Sequence, residues 1–80
     1  MERDAIVAEL IRLLHKTLDE ERAVEGSTAL VSDAGLESIQ VIEYLCEVED
    51  RFDLMIDEET LSDVRTIDDL ASVIGRLYSA

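Results

Sequence analysis

Ser38 is the side chain in this sequence that is best placed to take part in chemistry. It follows the turn-forming stretch Gly35-Leu36-Glu37 and stands where an amphipathic helix is predicted to begin. A serine at a helix start can cap free backbone amide groups. Its oxygen can also carry a phosphate, which the positive end of the helix dipole would stabilise. The residues alone leave both roles open, structural cap and attachment point.

The other reactive side chains give weaker cases for chemistry. Turn or cap roles are expected for Ser27, Ser32 and Ser62, and His15 has no second His or Cys near it to complete a metal or catalytic pair. Cys46 lies inside an apolar helical pattern and is predicted to be a packing residue. The acidic run 53–59 lacks the alternating acids and central glycine of a calcium-binding loop. We therefore predict a non-catalytic protein with no metal ligands.

Two long helices are predicted, separated by a long loop that leads to Ser38. Apolar residues recur at spacings of three and four from Arg3 to Leu18 and again from Ser38 to Phe52, which is the period of an amphipathic helix. Residues 19–37 contain turn formers and no sustained period, so a structured loop is expected there. Leu30 and Leu36 are the expected anchors that hold this loop against the helices.

Shorter helical segments are predicted in the last third of the chain. After the acidic connection 53–59, residues 60–64 are expected to make one further helical turn. Thr66 is predicted to cap a final helix, with Asp69 three residues later where Glu or Gln is more usual. Gly75 lies inside this helix, and the helix is expected to fray near it.

Composition favours a small helical fold. The 80 residues are 48% hydrophobic and include three glycines and no proline. These features predict one all-α domain over residues 1–80, a small three- to four-helix bundle with a long loop between the first and second helices. The single cysteine excludes an internal disulfide, and no targeting segment or membrane-length apolar run is present. A soluble, cytoplasmic monomer is expected, and the starting Met1 and absence of a linker favour a freestanding chain.

Charge indicates the kind of partner. The net charge is -13, from twenty acidic and seven basic residues. This balance argues against nucleic acid and anionic membranes as partners, and it favours basic protein surfaces. Half of the acids lie between Asp33 and Glu59, where Arg51 is the only base. The negative potential around Ser38 suits either a docking surface or an ordinary solvated face.

The stretch Gly35-Leu36-Glu37-Ser38-Ile39 resembles the acyl carrier protein family through its signature G-[LIVM]-[DE]-S-[LIVM]. The resemblance extends over nearly the whole chain, through Val41-Ile42-Glu43-Tyr44-Leu45, Phe52-Asp53, Ile56-Asp57-Glu58-Glu59 and Thr66-Ile67-Asp68-Asp69-Leu70. It implies that Ser38 carries a 4'-phosphopantetheine arm, which a Mg-dependent phosphopantetheinyl transferase supplies from coenzyme A. The thiol of the arm then holds acyl groups as thioesters. The family most often has Asp where Glu37 stands and often Pro where Asp57 stands.

The resemblance also implies recognition along the second helix. The implied partners are the transferase and acyl-transferring, ketosynthase or acyl-activating enzymes with basic patches. The candidate contact residues are Glu37, Ile39, Gln40, Val41, Glu43, Tyr44 and Glu47, with Ile42 and Ile39 shared between this face and the core.

Three functions are open at this point. The first is an acyl carrier in fatty-acid or polyketide-type biosynthesis. The second is a carrier of aminoacyl or peptidyl groups, including D-alanyl, which Glu37 disfavours because peptidyl carriers often have His there. The third is an unmodified acidic helical adaptor that binds a basic partner through the second helix.

Overall fold

The computed structural model describes residues 2–19 and 23–79, and in that part of the chain it contains four helices. They are α1 (Arg3–Leu18), α2 (Ser38–Phe52), α3 (Glu58–Leu61) and α4 (Ile67–Ser79). Both long predicted helices have the expected bounds, and the prediction of an all-α bundle with a long first loop is confirmed. Residues 20–22, which belong to the predicted loop, lie outside the described residues.

The core lies between the three longer helices, because α1 packs against both α2 and α4. It is mainly aliphatic, with one tyrosine and one phenylalanine from α2. Burial of such side chains is the main source of stability in a small fold without a disulfide. The buried core residues of the helices are Ile6, Leu10, Leu13, Leu14, Tyr44, Leu45, Val48, Phe52, Ile67, Leu70, Ala71, Val73 and Ile74.

The loop before α2 is held against the bundle by buried side chains and by backbone hydrogen bonds. Leu30 and Leu36 are buried, with 5% and 3% of their surface exposed, so both predicted anchors are confirmed. The backbone N–H of Leu30 also donates to Arg65 O at 2.8 Å, beside an isolated antiparallel bridge between Ala29 and Thr66. The loop therefore connects the start of α2 to the segment that leads into α4.

Helices α3 and α4 each differ from their predictions in one respect. The predicted turn at 60–64 is instead α3, which begins two residues earlier because Asp57 caps it, its Oδ1 accepting from Thr60 N at 2.7 Å. The expected fraying near Gly75 was wrong, since α4 continues to Ser79. Its last turn is tied to α2 by Tyr78, whose hydroxyl donates to Phe52 O at 2.7 Å.

Ion pairs connect α1 and α2 at the solvent-facing edge of their contact. Lys16 Nζ lies 3.0 Å from Glu47 Oε2, and Arg51 Nε lies 3.0 Å from Glu9 Oε1. Arg12 also bonds to Glu9, and the hydrogen bonds from Arg12 and Arg51 hold the pKa of Glu9 below its usual range. Both pairs are partly exposed to solvent, so each adds little stability. None of the helices in the described ranges is long and apolar enough to cross a membrane.

Candidate functional site

Ser38 is the first residue of α2, and its side chain lies at the surface. The chain reaches this position through Gly35, which has a φ of 76°, a left-handed conformation that L side chains rarely adopt. Leu36 then enters the core and Glu37 returns to extended backbone, with φ -82° and ψ 165°. A left-handed turn and a buried anchor together place the serine hydroxyl at the helix start.

Glu37, and not Ser38, occupies the capping position of α2. Its backbone N–H donates to Gln40 Oε1 at 2.9 Å, and its side chain lies against the backbone N–H of Gln40, which completes a capping box. The hydroxyl of Ser38 is not part of this box. The cap role considered for Ser38 is therefore wrong, and the attachment role is compatible with the geometry.

The start of α2 can stabilise an anion on Ser38. The first hydrogen bond of the helical ladder runs from Val41 N to Glu37 O at 2.9 Å, so the N–H groups of Ser38 and Ile39 precede it. The first turn of α2 contains no acidic residue. A phosphodiester there would gain about 0.3 to 1 kcal/mol from the helix dipole, whereas the neighbouring carboxylate of Glu37 would oppose its charge. The residues present therefore fit a phosphate-linked group.

An apolar cavity of about 300 Å³ opens beside this helix start. Val41 lies one turn after Ser38 on the same side of α2, and with Leu45 it forms one wall. The cavity is not apparent from the sequence, because its other walls come from the loop and from the residues after α3, and the only local signal is the pair Val41 and Leu45. The lining residues are Ala29, Leu30, Val31, Ser32, Val41, Leu45, Leu61, Val64 and Arg65.

Most of the predicted partner contacts lie on an accessible face of α2. Glu37 and Glu43 are exposed, and Ile39 exposes 63% of its surface. Ile42, expected to be shared with the core, is 62% exposed. Gln40 and Val41 are half-buried, as is Glu47, which pairs with Lys16. An acidic surface with two exposed isoleucines therefore extends from Ser38 along α2.

Tyr44 does not belong to this surface, and its prediction as a partner contact was wrong. It is fully buried, and its hydroxyl donates to Leu10 O at 2.9 Å. Burial raises the pKa of the Tyr44 phenol well above its usual range. The residue lies on the core side of α2 with Leu45 and Val48, where its ring packs and its polar end is satisfied by α1.

The prediction for Cys46 was also wrong, but here a residue expected in the core lies at the surface. Expected as a packing residue, it is exposed on α2. Within the described residues, no group of three or more His, Cys, Asp or Glu side chains is arranged to hold a metal ion.

Comparison with known proteins gives consistent matches over most of the chain. Residues 4–74 match the family described as "Phosphopantetheine attachment site". An acyl carrier protein of Coprothermobacter proteolyticus is 31% identical over 81 aligned positions, which cover 99% of each chain. An acyl carrier protein of Bdellovibrio bacteriovorus is 29% identical over 53 positions, covering 66% of this chain and 68% of the relative. The crystal structure of an acyl carrier protein from Thermotoga maritima superposes with a TM-score of 0.79 at 26% identity, covering 95% of this chain and 89% of that chain.

Proposed function

The chain belongs to the acyl carrier protein family, whose members hold a covalently bound 4'-phosphopantetheine, and we propose that Ser38 is the residue that carries this arm. The observation that supports this most is the exposed hydroxyl of Ser38 on the first residue of α2, outside a capping box formed by Glu37 and Gln40. The signature Gly35-Leu36-Glu37-Ser38-Ile39 lies within the matched residues 4–74.

The residues of this chain have limited tasks in attachment. The Ser38 oxygen attacks the coenzyme A diphosphate at the phosphorus that bears the pantetheine arm. The new bond to phosphorus forms as the P–O bond of the diphosphate bridge breaks and adenosine bisphosphate leaves, and the serine proton passes to a base of the transferase. The N–H groups at the start of α2 stabilise the resulting phosphodiester. When bound, the arm supplies a thiol that holds the cargo as a thioester. We infer that the chain itself is non-catalytic and acts as the substrate and shuttle of other enzymes.

The cavity beside Ser38 supports an acyl cargo. Its walls are mainly aliphatic, with Val41 and Leu45 on one side and Leu61 and Val64 on the other. An alkyl chain loses contact with water there, whereas the ammonium of an aminoacyl group would lose hydration. The proposed function is therefore to carry acyl intermediates in fatty-acid or polyketide-type biosynthesis. Its alternative, an aminoacyl or peptidyl carrier, is less compatible with these walls.

The acidic face of α2 is the proposed docking surface for the enzymes. It contains the predicted contacts Glu37, Ile39, Gln40, Val41, Glu43 and Glu47, with Ile42 added by its exposure. The acids would orient basic patches on a phosphopantetheinyl transferase and on acyl-transferring, ketosynthase or acyl-activating enzymes, and the isoleucines would supply apolar contact. Such complexes should be brief and weakened by salt.

Intact-mass measurement tests the attachment. The full chain is incubated with coenzyme A, Mg²⁺ and a broad-specificity phosphopantetheinyl transferase. Wild type should gain one arm, Ser38→Ala should gain none, and Ser32→Ala, which alters an exposed serine of the preceding loop, should gain one. An arm on Ser38→Ala would contradict the assignment. No gain on wild type would favour the unmodified adaptor.

The cargo class needs a second measurement on the modified chain. Loading with a medium-length fatty acyl group should shift the amide resonances of Val41, Leu45 and Leu61, while loading with a glycyl group should leave them unchanged. The reverse pattern would favour the aminoacyl carrier.

A further inference from the structure

A second apolar surface lies beyond the far end of α2. Met55 exposes 87% of its surface and Leu77 exposes 42%. Both line a groove of about 300 Å³ whose floor is formed by the buried Ile56 and Val73. The core is already closed beneath this groove, so Met55 has no packing role there. Exposed apolar side chains grouped in this way mark interaction sites.

The backbone around Met55 is fixed in place. Glu49 holds it at two points, since its carbonyl accepts from Leu54 N at 3.1 Å and its Oε2 accepts from Ile56 N at 2.9 Å. Leu54 is partly buried against the core and Ile56 is buried, so both neighbours of Met55 point inward. The methionine is therefore presented outward on an ordered segment, and little backbone entropy is lost when it is covered.

This surface is separate from the Ser38 end of α2. The 15 residues of α2 span about 22 Å at 1.5 Å per residue, and Met55 lies beyond the last of them. A partner bound at Met55 would leave Ser38 and the exposed Ile39 and Ile42 accessible. The two ends of α2 can thus be occupied at the same time.

The acidic residues around Met55 indicate that a partner must be basic. A second recess that Met55 lines is otherwise formed by Leu54 and three acids, Glu49, Asp50 and Asp53. Asp50 and Asp53 are exposed, and Asp57 lies at the edge of the first groove, where Arg76 is the one base among the lining residues. An apolar side chain that enters the groove must arrive with cations beside it. Anionic lipid surfaces are repelled by the same acids.

We propose that the Met55–Leu77 groove binds a basic amphipathic helix of a partner protein, with an apolar side chain against Met55 and Lys or Arg side chains beside Asp50 and Asp53. Methionine suits this contact because its flexible thioether adapts to different apolar shapes. The site is distinct from the proposed attachment at Ser38 and does not depend on it.

The probe for this site is a synthetic Leu/Lys peptide designed as an amphipathic helix of about five turns, added to the unmodified, ¹⁵N-labelled full chain. Resonance changes should concentrate on residues 53–57 and 73–78. Met55→Ser should weaken the dissociation constant at least about fivefold. Ala8→Ser, an apolar-to-serine change at an exposed residue of α1 outside both proposed surfaces, should change it less than about twofold.

Three results of the peptide experiment would overturn the proposal. They are changes centred on residues 38–48, equal losses in the two variants, and equal affinity for a scrambled Leu/Lys peptide without amphipathic order. Binding of wild type to anionic phospholipid vesicles, or self-association that Met55→Ser abolishes, would assign the surface to a membrane or a second copy and would overturn it too. Because the unmodified chain is used, these results are independent of whether Ser38 accepts an arm.

Discussion

The starts of α2 and α4 are both capping boxes, yet they use their polar groups differently. At α4, Thr66 Oγ1 accepts from Asp69 N at 3.1 Å, and Asp69 Oδ2 accepts from the N–H groups of Arg65 and Thr66 at 3.0 and 3.1 Å. At α2, the neutral amide of Gln40 bonds to Glu37, and the Ser38 hydroxyl lies outside the box. A hydroxyl that caps serves stability, whereas one placed a residue later is available for chemistry.

The largest expected effect concerns the turn before α2. Gly35→Ala should lower the free energy of unfolding by about 1 to 2 kcal/mol, the cost of a left-handed conformation for a residue with a Cβ. No atom lies within 4 Å of the added Cβ, so the cost comes from the backbone alone. Urea unfolding measures it. The control Gly75→Ala, inside α4 with no atom within 4 Å of its Cβ, should instead stabilise by up to about 1 kcal/mol. Unchanged stability of Gly35→Ala would show that the turn is not required.

Removing the hydroxyls of Ser38 and Thr66 in turn tests the difference between the starts of α2 and α4 directly. Thr66→Ala should cost about 1 kcal/mol, as loss of a helix cap does, and should accept the arm normally. Ser38→Ala should change stability by less than about 0.5 kcal/mol, as surface substitutions do, while abolishing modification. Urea unfolding and intact mass are measured on both variants. A substantial loss of stability in Ser38→Ala would show that its hydroxyl has a structural role after all.

Making the start of α2 resemble that of α4 should stabilise the helix and slow the transfer of the arm to Ser38. Gln40→Glu places a carboxylate in the first turn of α2, which should stabilise the helix by about 0.3 to 1 kcal/mol. The same charge opposes the incoming phosphate, so the initial rate of arm transfer should fall about two- to fivefold. Added salt should reduce that difference in rate. An unchanged rate at low salt would contradict the electrostatic account.

The smallest effect is a difference in pH dependence. The N–H groups of Arg65 and Thr66 hold the pKa of Asp69 below its ordinary value of 3.8. A carboxylate whose pKa is lower in the folded state contributes stability that is complete above the unfolded value and is lost as pH falls through the folded one. The difference in unfolding free energy between wild type and Asp69→Asn should be constant from about pH 7 to 5 and should shrink below about pH 4. A difference that grows in acid would contradict this sign.

Local signals in the sequence predict most of the fold. The bounds of α1 and α2 follow from apolar periodicity over 16 and 15 residues, and the start of α4 follows from Thr66 with Asp69. The four residues of α3 are too few to show a period, although Asp57 three residues before Thr60 was a usable capping signal. Packing by the last turn of α4 outweighs the helix-breaking tendency of Gly75.

The site is less accessible to such reasoning. Ser38 is identified by its motif. That its hydroxyl does not cap α2 follows from the bond between Gln40 and Glu37, which only the actual backbone geometry reveals. Tyr44 was assigned to the surface because the family resemblance implied contacts along the second helix, and its burial and its bond to Leu10 O, which contradict this, depend on packing against α1. The cavity depends on packing between α2 and residues 61–65, which no local period encodes.

The link between Leu30 and Arg65 has a consequence for the order of synthesis. The hydrogen bond from Leu30 N to Arg65 O, with that from Ile67 N to Thr28 O, joins segments more than 30 residues apart in the chain. During translation, residues 28–30 leave the ribosome before their partners at 65–67 do. The loop can close only after most of the chain has been translated. A nascent chain should therefore become a competent substrate for modifying enzymes late in its own translation.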